Sequence, residues 1–527
     1  MTDKYFSKWF IIKNTSIVTA INLLTVLAAI VVDAVIVAFF GLGSQTDAFF
    51  VAYSIPFIIS AVIQEQASKV LLPLFIHTRD LEGEKEGWRF LNSVLTLNTV
   101  ILFAIAVIGS LLSPFLIPIQ IPGFNEETIS VAIKISMILF FVPLLQSQVA
   151  IMGIAANAFG QFFPIPLGRF LDHLIRLLLV VVLFKSTGIF SLAYGFVAGL
   201  VVQLLLMYFV LRSYGFRHAP NLSLKDPKLI NAIKLSIYPM FGFGVSEGVQ
   251  LFQNFLASYL AAGSLSALRY ATRLIDSLSG ILSGGIVTII LPMVSKTLAR
   301  EDIHNTKEYV RRGIQLLLFV TVPVTAWLIL ANRDLVRLFF ERIRFTPADT
   351  IVLSNIIVLM FPYIFLSRYL GLVEASFFGI SDTRTPLSNM LFLSILYMGI
   401  ATVLFFGLGV YSFPVARSLS YICSCIFISA LFRKRFGSIG LRQLRGNVTK
   451  ILVSTMSMSL FLLAGRYMVS RIHLLGIAQK IVALFLPVIL GGIAFLGTAY
   501  WIGLLKQEHF QTDSSERRFA GRNGSEV

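Results

Sequence analysis

The sequence predicts an all-α polytopic membrane protein with fourteen transmembrane helices: two parallel six-helix repeats plus two extra C-terminal helices. Three observations carry this. Of the residues, 57% are hydrophobic and only 13% charged, and the mean hydropathy is +0.84, which leaves too little polar surface for a water-soluble globule. Fourteen apolar stretches reach the length of about 20 residues that a helix needs to cross hydrocarbon. The first twelve of these fall into two halves that repeat each other at an offset of 219 to 220 residues.

In chain order the spans are 15–40, 48–76, 90–113, 129–152, 164–184, 189–211, 235–262, 270–295, 313–331, 350–378, 386–408, 411–432, 450–470 and 481–505. The first follows a Lys-rich start and resembles a signal anchor. It runs long, contains Asp33 and lacks a small-x-small cleavage site, so it is expected to stay. The repeat rests on polar and backbone-breaking landmarks. Gly43-Ser44 recurs as Gly263-Ser264, Leu72-Pro73 as Leu291-Pro292, and Pro143 as Pro362. The run Ala156 to Gly160 recurs as Ala375 to Gly379, and Pro166-Leu167 as Pro386-Leu387. Six spans per copy, an even number, make the copies parallel. The expected domains are residues 1–218 (spans one to six), 219–440 (spans seven to twelve), 441–505 (spans thirteen and fourteen) and a disordered cytoplasmic tail, 506–527.

The net charge of +17 is explained by topology. With both termini cytoplasmic, most Lys and Arg fall in loops on that side, in clusters such as Arg212 to Lys234 and Arg433 to Lys450. No basic patch with interleaved aromatics remains for nucleic acid. The external loop breaks the rule, with Arg333, Arg337, Arg342 and Arg344 beside Asp334, Glu341 and Asp349, and local pairing is expected there. Cys423 and Cys425 point to nearly opposite faces of a helix, so neither a disulfide nor a metal site is expected. HExxH, Walker A and GxSxG signatures are all missing, and with them any case for an enzyme.

Ionisable residues inside spans are costly in hydrocarbon and point to wet cavities or partners. Arg169, Asp172, His173 and Arg176 in span five fall at i, i+3, i+4 and i+7, on one helical stripe. Two arginines suit phosphate oxygens, since the guanidinium fork donates parallel hydrogen bonds. Pairing of Asp172 with Arg176 is the structural alternative. The duplication places Arg273 in span eight and Glu247 in span seven at a central cleft, with Arg273 as a phosphate contact. Glu247, among Gly242, Gly244 and Gly248, together with Asp33 and His173, is a candidate for coupling to H+, Na+ or the membrane potential. Glu65 and Lys69, at i and i+4, are expected to neutralise each other.

The stretch Thr46-Asp47-Ala48-Phe49-Phe50-Val51-Ala52 followed by Ile55-Pro56 resembles the first-loop signature of the MurJ (MviN) lipid II flippases. So do Ala261-Ala262-Gly263-Ser264, Tyr270-Ala271, Arg273-Leu274, Leu291-Pro292, Phe345 to Thr350, and Asp382-Thr383-Arg384-Thr385-Pro386. The resemblance implies the multidrug/oligosaccharidyl-lipid/polysaccharide exporter fold, two lobes around a cationic cavity, with spans thirteen and fourteen as a groove for an isoprenoid tail. It implies substrate contacts from Arg273 and Asp47. Of the family's cavity arginines on spans one, two and eight, only Arg273 is present; Thr25, Val32 and Ser60 stand at the other positions. Arg169 and Arg176 are expected to restore that charge from span five.

The expected function is therefore flipping of an undecaprenyl-pyrophosphate-linked saccharide across the bacterial cytoplasmic membrane. A lipid-linked oligosaccharide and membrane lipids are the expected partners, with other envelope-synthesis proteins as candidates, a monomeric state, and no cofactor. Within the same fold, a polysaccharide repeat-unit exporter or a cation-coupled drug antiporter is the alternative. Outside transport, the alternative is an envelope-synthesis scaffold.

Overall fold

The computed structural model describes residues 8–66, 70–221, 226–380, 382–470 and 477–504. Lys69, the Glu65 side chain, the Gly242 surroundings and the 506–527 tail lie outside the described residues. Among those described, the chain is helical throughout, with no strand. In the first half the helices are α1 (Lys8–Phe40), α2 (Ser44–Gln66), α3 (Leu72–Glu82), α4 (Glu84–Gln120), α5 (Glu126–Leu139), α6 (Val142–Ala158), α7 (Pro164–Thr187) and α8 (Phe190–Arg212). There follow α9 (Pro227–Ala257), α10 (Ser264–Ala299), α11 (Ile303–Phe339), α12 (Pro347–Leu359), α13 (Phe361–Phe378), α14 (Arg384–Leu408), α15 (Ser412–Phe436), α16 (Arg445–Ser470) and α17 (Ile477–Trp501).

Helix starts recur in the second half at offsets of 219 to 222 residues. Ser44 corresponds to Ser264, Glu84 to Ile303, Glu126 to Pro347, Val142 to Phe361, Pro164 to Arg384 and Phe190 to Ser412. The repeated prolines explain one of these pairs. Pro143 lies in the first turn of α6 and Pro362 in the first turn of α13, where a residue without an N–H removes no helical hydrogen bond. Each proline thus restarts a helix immediately after a break, at Phe140-Phe141 in one copy and at Met360 in the other. Leu72-Pro73 and Leu291-Pro292 behave differently: Pro73 opens α3, while Pro292 is carried inside α10.

Nine helical stretches among the described residues are long and apolar enough to cross a membrane. One of these, Arg384–Phe436, has 53 residues, far more than the roughly 20 of one crossing. It folds back at Gly409, whose φ of +54° suits glycine, through a short 3₁₀ turn to Tyr411. α7 falls outside the nine because Arg169, Asp172, Arg176 and Lys185 interrupt its apolar run. Lipid-facing helices show the pattern expected of hydrocarbon as solvent: Phe103, Ile108, Leu111, Phe115 and Ile119 of α4 are all exposed.

Contacts divide the chain into two compact units. The first comprises Met1–Ser277, Phe339–Ile356 and Met390–Ser420; the second Leu278–Leu338, Ile357–Asn389 and Tyr421–Val527. The 218/219 boundary read from the sequence falls inside the first unit. There α7 packs on α8 and α1, and α2 packs on α5, α6 and α9. One buried cluster there is built on Phe75, Phe90, Leu95, Met152, Leu211 and Phe216, with Trp88 stacked on Phe159 at 5.1 Å between centroids. The second unit is centred on Val294, Ile314, Leu317, Leu372, Phe377 and Phe432, and its α16 and α17 form a hairpin. There Asp334 pairs with Arg466 of α16 at 2.7 Å rather than with an arginine of its own loop. Cys425 is buried and Cys423 half-buried, both as free thiols.

Candidate functional site

The first unit contains a cavity of about 820 Å³. It gathers residues that are far apart in sequence: Asp33 of α1, Arg169, Asp172, His173 and Arg176 of α7, and Arg273 of α10. The amides of Gln64, Gln146, Asn157 and Gln203 line it as well, beside Tyr53 and Phe57. Such a lining offers arginine donors for phosphate oxygens and amides that both donate to and accept from sugar hydroxyls. All the residues of the span-five stripe reach this one space, as their i, i+3, i+4, i+7 spacing requires.

Two of the three arginines are already paired. Arg273 Nη1 donates to Asp33 Oδ1 at 2.9 Å, and its guanidinium lies 5.1 Å from the centre of the Phe50 ring. Arg176 Nη2 donates to Asp172 Oδ2 at 2.5 Å, and its guanidinium carbon lies 3.4 Å from the centre of the Phe196 ring. The second pair is the more deeply buried, with side chains 9% and 10% exposed against 35% and 19% for Arg273 and Asp33. Arg169 is exposed along the cavity and, among the described residues, makes no ion pair or hydrogen bond. It is the cation most open to a ligand.

Asp47 and Glu247 lie elsewhere. Asp47, in the first turn of α2, is buried and accepts hydrogen bonds from the backbone N–H of Gly263 at 2.6 Å and of Ser266 at 2.7 Å. It caps the start of α10 and lies outside the large cavity, lining a smaller one of about 120 Å³ with Asn125 and Thr128. Glu247 is half-buried on α9 within Coulombic reach of Arg269 and Arg417, and it does not line the cavity either. Sequence reasoning missed Arg269, which donates to Asn254 Oδ1 at 2.6 Å. The signal was available, since Arg269 precedes Arg273 by four residues and shares its face of α10. In the second unit Glu374 accepts from Asn389 Nδ2 at 2.9 Å and Arg368 donates to Ser279 Oγ at 2.9 Å, so both span-ten charges are held by neutral partners.

The family model for "Lipid II flippase MurJ" matches residues 36–484. The chain belongs to the MurJ lipid II flippase family. It is 25% identical over 516 residues to the probable lipid II flippase MurJ of Buchnera aphidicola subsp. Baizongia pistaciae, covering 96% of this chain and 99% of that one. With the probable lipid II flippase MurJ of Aquifex aeolicus it shares 26% over 394 residues, covering 74% and 77%. Among solved structures, the fold is similar to a lipid II flippase MurJ in an inward closed conformation: TM-score 0.75 and 19% identity, over 94% of this chain and all of that one. It is also similar to an inward-facing multidrug-resistance MATE transporter, with TM-score 0.67 and 13% identity over 80% and 94%.

At the positions where the resemblance implies arginines, this chain's residues make contacts of their own. Thr25 donates to Ile21 O at 2.8 Å and to Pro166 O at 3.3 Å, tying α1 to the start of α7. Ser60 donates to Pro56 O at 2.9 Å within α2, and Val32 is buried beside Asp33 at the cavity wall. None can hold phosphate charge. In this MurJ-family chain the arginines of the cavity come from α7 and α10.

Proposed function

We propose that this chain flips an undecaprenyl-pyrophosphate-linked saccharide, lipid II or a close relative, across the cytoplasmic membrane. The observation that carries the reading is the clustering of Arg169, Arg176 and Arg273 with four side-chain amides around one cavity of about 820 Å³. A head group bearing two phosphates and sugars cannot enter hydrocarbon unaided, because its polar groups would lose their water without replacement. Arginines replace water around the diphosphate, and Gln64, Gln146, Asn157 and Gln203 replace it around the sugars. The polyprenyl tail stays in lipid, along α16 and α17.

Transport then proceeds by rocking of the two repeats, 1–218 and 219–440, so that the cavity opens to one side and then the other. Arg273 holds the diphosphate and exchanges Asp33 for it. Glu247, facing Arg269 and Arg417, is the coupling residue, taking up a proton or a cation as the repeats move. The chain works as a monomer with both termini in the cytoplasm, and its basic loops meet other envelope-synthesis proteins.

Native mass spectrometry of the purified protein tests the cargo. A co-purified polyprenyl-diphosphate saccharide, lost in Arg273→Ala, is the expected result; a protein that carries no such lipid at any loading overturns the reading.

A further inference from the structure

One turn of α7 carries three buried side-chain atoms with no hydrogen-bond partner: Asp172 Oδ1, His173 Nδ1 and Arg176 Nε. All three residues line the cavity. Buried polar atoms are nearly always paired, and two of these can donate to an anion: Arg176 Nε, and His173 Nδ1 as its N–H tautomer. Asp172 Oδ1 is an acceptor that no phosphate oxygen can satisfy, so the carboxylate is the member that an anionic ligand would have to move. Arg169, on the same stripe two turns before Arg176, is the exposed arginine described above.

Asp172 meanwhile occupies a notch in the neighbouring helix. A Cβ at Gly199 of α8 would stand 2.2 Å from Asp172 Oδ1, and one at Gly195 would stand 3.2 Å from the Arg176 Cα. At Gly199 only glycine leaves room for the Asp172 carboxylate, while at Gly195 a side chain would press on the Arg176 backbone. The carboxylate is thus held against Arg176 by the shape of α8 as well as by charge.

We propose that Asp172 is a resident counter-ion for Arg176, seated in the Gly199 notch and displaced by the diphosphate of the cargo. The proposal rests on the cavity being the cargo site. An attached carboxylate competes at high effective concentration, so a ligand that reaches Arg176 alone gains little by displacing it. A diphosphate bridges Arg169 and Arg176 with parallel hydrogen bonds and meets His173 Nδ1 between them, which a monophosphate cannot do. Asp172 therefore selects diphosphate over monophosphate lipids. It also promotes release, because its return to Arg176 expels the phosphate. A residue of this kind weakens binding and speeds turnover, and its loss should do the reverse.

The test uses the full-length protein in detergent, titrated with polyprenyl diphosphate and polyprenyl monophosphate, and the same protein in vesicles for flipping of a labelled diphosphate lipid. Asp172→Asn, which keeps shape and loses charge, should bind the diphosphate about tenfold tighter, narrow the preference over the monophosphate, and flip more slowly. Gly199→Ala, which fills the notch, should move all three readouts the same way. Weaker or unchanged binding in both variants, with melting temperatures at the wild-type value, overturns the counter-ion role and leaves the cargo reading standing. Wild-type protein that binds neither lipid overturns both.

Discussion

The Asp47 carboxylate accepts from the backbone amides of Gly263 and Ser266, so a side chain at the start of α2 closes the N-terminus of a helix that begins more than two hundred residues later. Gly263-Ser264 is the repeat of Gly43-Ser44, so the contact joins the matching corners of the two copies. A carboxylate at a helix N-terminus satisfies orphan amides and meets the positive end of the helix dipole.

Replacing that carboxylate should therefore cost stability. Asp47→Ala leaves two buried amides without acceptors, an expected loss of about 2 to 4 kcal/mol. Asp47→Asn should lose roughly half of that, because one amide oxygen still accepts. Thermal unfolding in detergent, read by the burial of native cysteines Cys423 and Cys425, measures both. An unchanged melting temperature in Asp47→Ala would rule out the capping role.

At Arg273 the expected order of damage follows from the Asp33 pair. Arg273→Ala removes the cation and strands Asp33, so flipping should fall to background while the protein also loses stability. Arg273→Lys keeps the charge but loses the fork, and is expected to retain a small fraction of activity. In Asp33→Asn the guanidinium is free of its carboxylate, and cargo retention in native mass spectra should rise. Equal activity in Arg273→Ala and wild type would remove this residue from the site.

Among the described residues Arg169 makes no ion pair or hydrogen bond, so its removal should affect the ligand far more than the fold. Arg169→Ala is expected to keep the wild-type melting temperature and to lower affinity for polyprenyl diphosphate about tenfold, the worth of one charge-assisted hydrogen bond. Isothermal titration with matched thermal melts separates the two effects. A stability change without an affinity change would make the residue structural.

Two loop carboxylates outside the spans set an acid limit. Backbone and side-chain hydrogen bonds from Asn305 hold Asp302 below the usual carboxylate range, and hydrogen bonds from Thr385, side chain first, do the same for Asp382. A group whose folded pKa is depressed stabilises the fold above its ordinary pKa, and that contribution disappears as pH falls through the folded value. The first turns of α11 and α14 should thus keep constant amide protection from pH 7 to 5 and lose it only below about 4. Hydrogen exchange of residues 303–306 and 384–387 against pH checks this. Loss of protection already near pH 6 would contradict it.

The membrane class, the duplication and the span-five stripe were legible because each is written locally or periodically. Arg169, Asp172, His173 and Arg176 need only helical spacing to share a face, and the paired prolines Pro143 and Pro362 need only an offset. Tertiary pairing was not legible. Asp33, read as a coupling acid, bonds Arg273 across 240 positions. Asp47, assigned to substrate through resemblance, spends both oxygens on α10. Glu247, expected at the cleft by analogy between spans one and seven, does not line the cavity, whereas Asp33 of α1, Asp172 of α7 and Asp276 of α10 do. Arg269 was overlooked although its spacing from Arg273 is itself periodic.

The matching starts of α7 and α14 carry one more implication. Counted from those starts, Arg169, Asp172, His173 and Arg176 correspond to Asn389, Phe392, Leu393 and Leu396. The later copy has kept the helix and discarded its ions, and Asn389 is engaged by Glu374 and Ser424 instead. The two copies thus match in where the helix starts and differ in charge, which at these four positions lies on α7 alone. Among the described residues, the cavity of about 820 Å³ is accordingly lined by α7 and by no residue of α14. Symmetry of backbone without symmetry of charge means that the two copies are not interchangeable: a chain with α7 and α14 exchanged would keep its helices and lose the cavity's span-five ions.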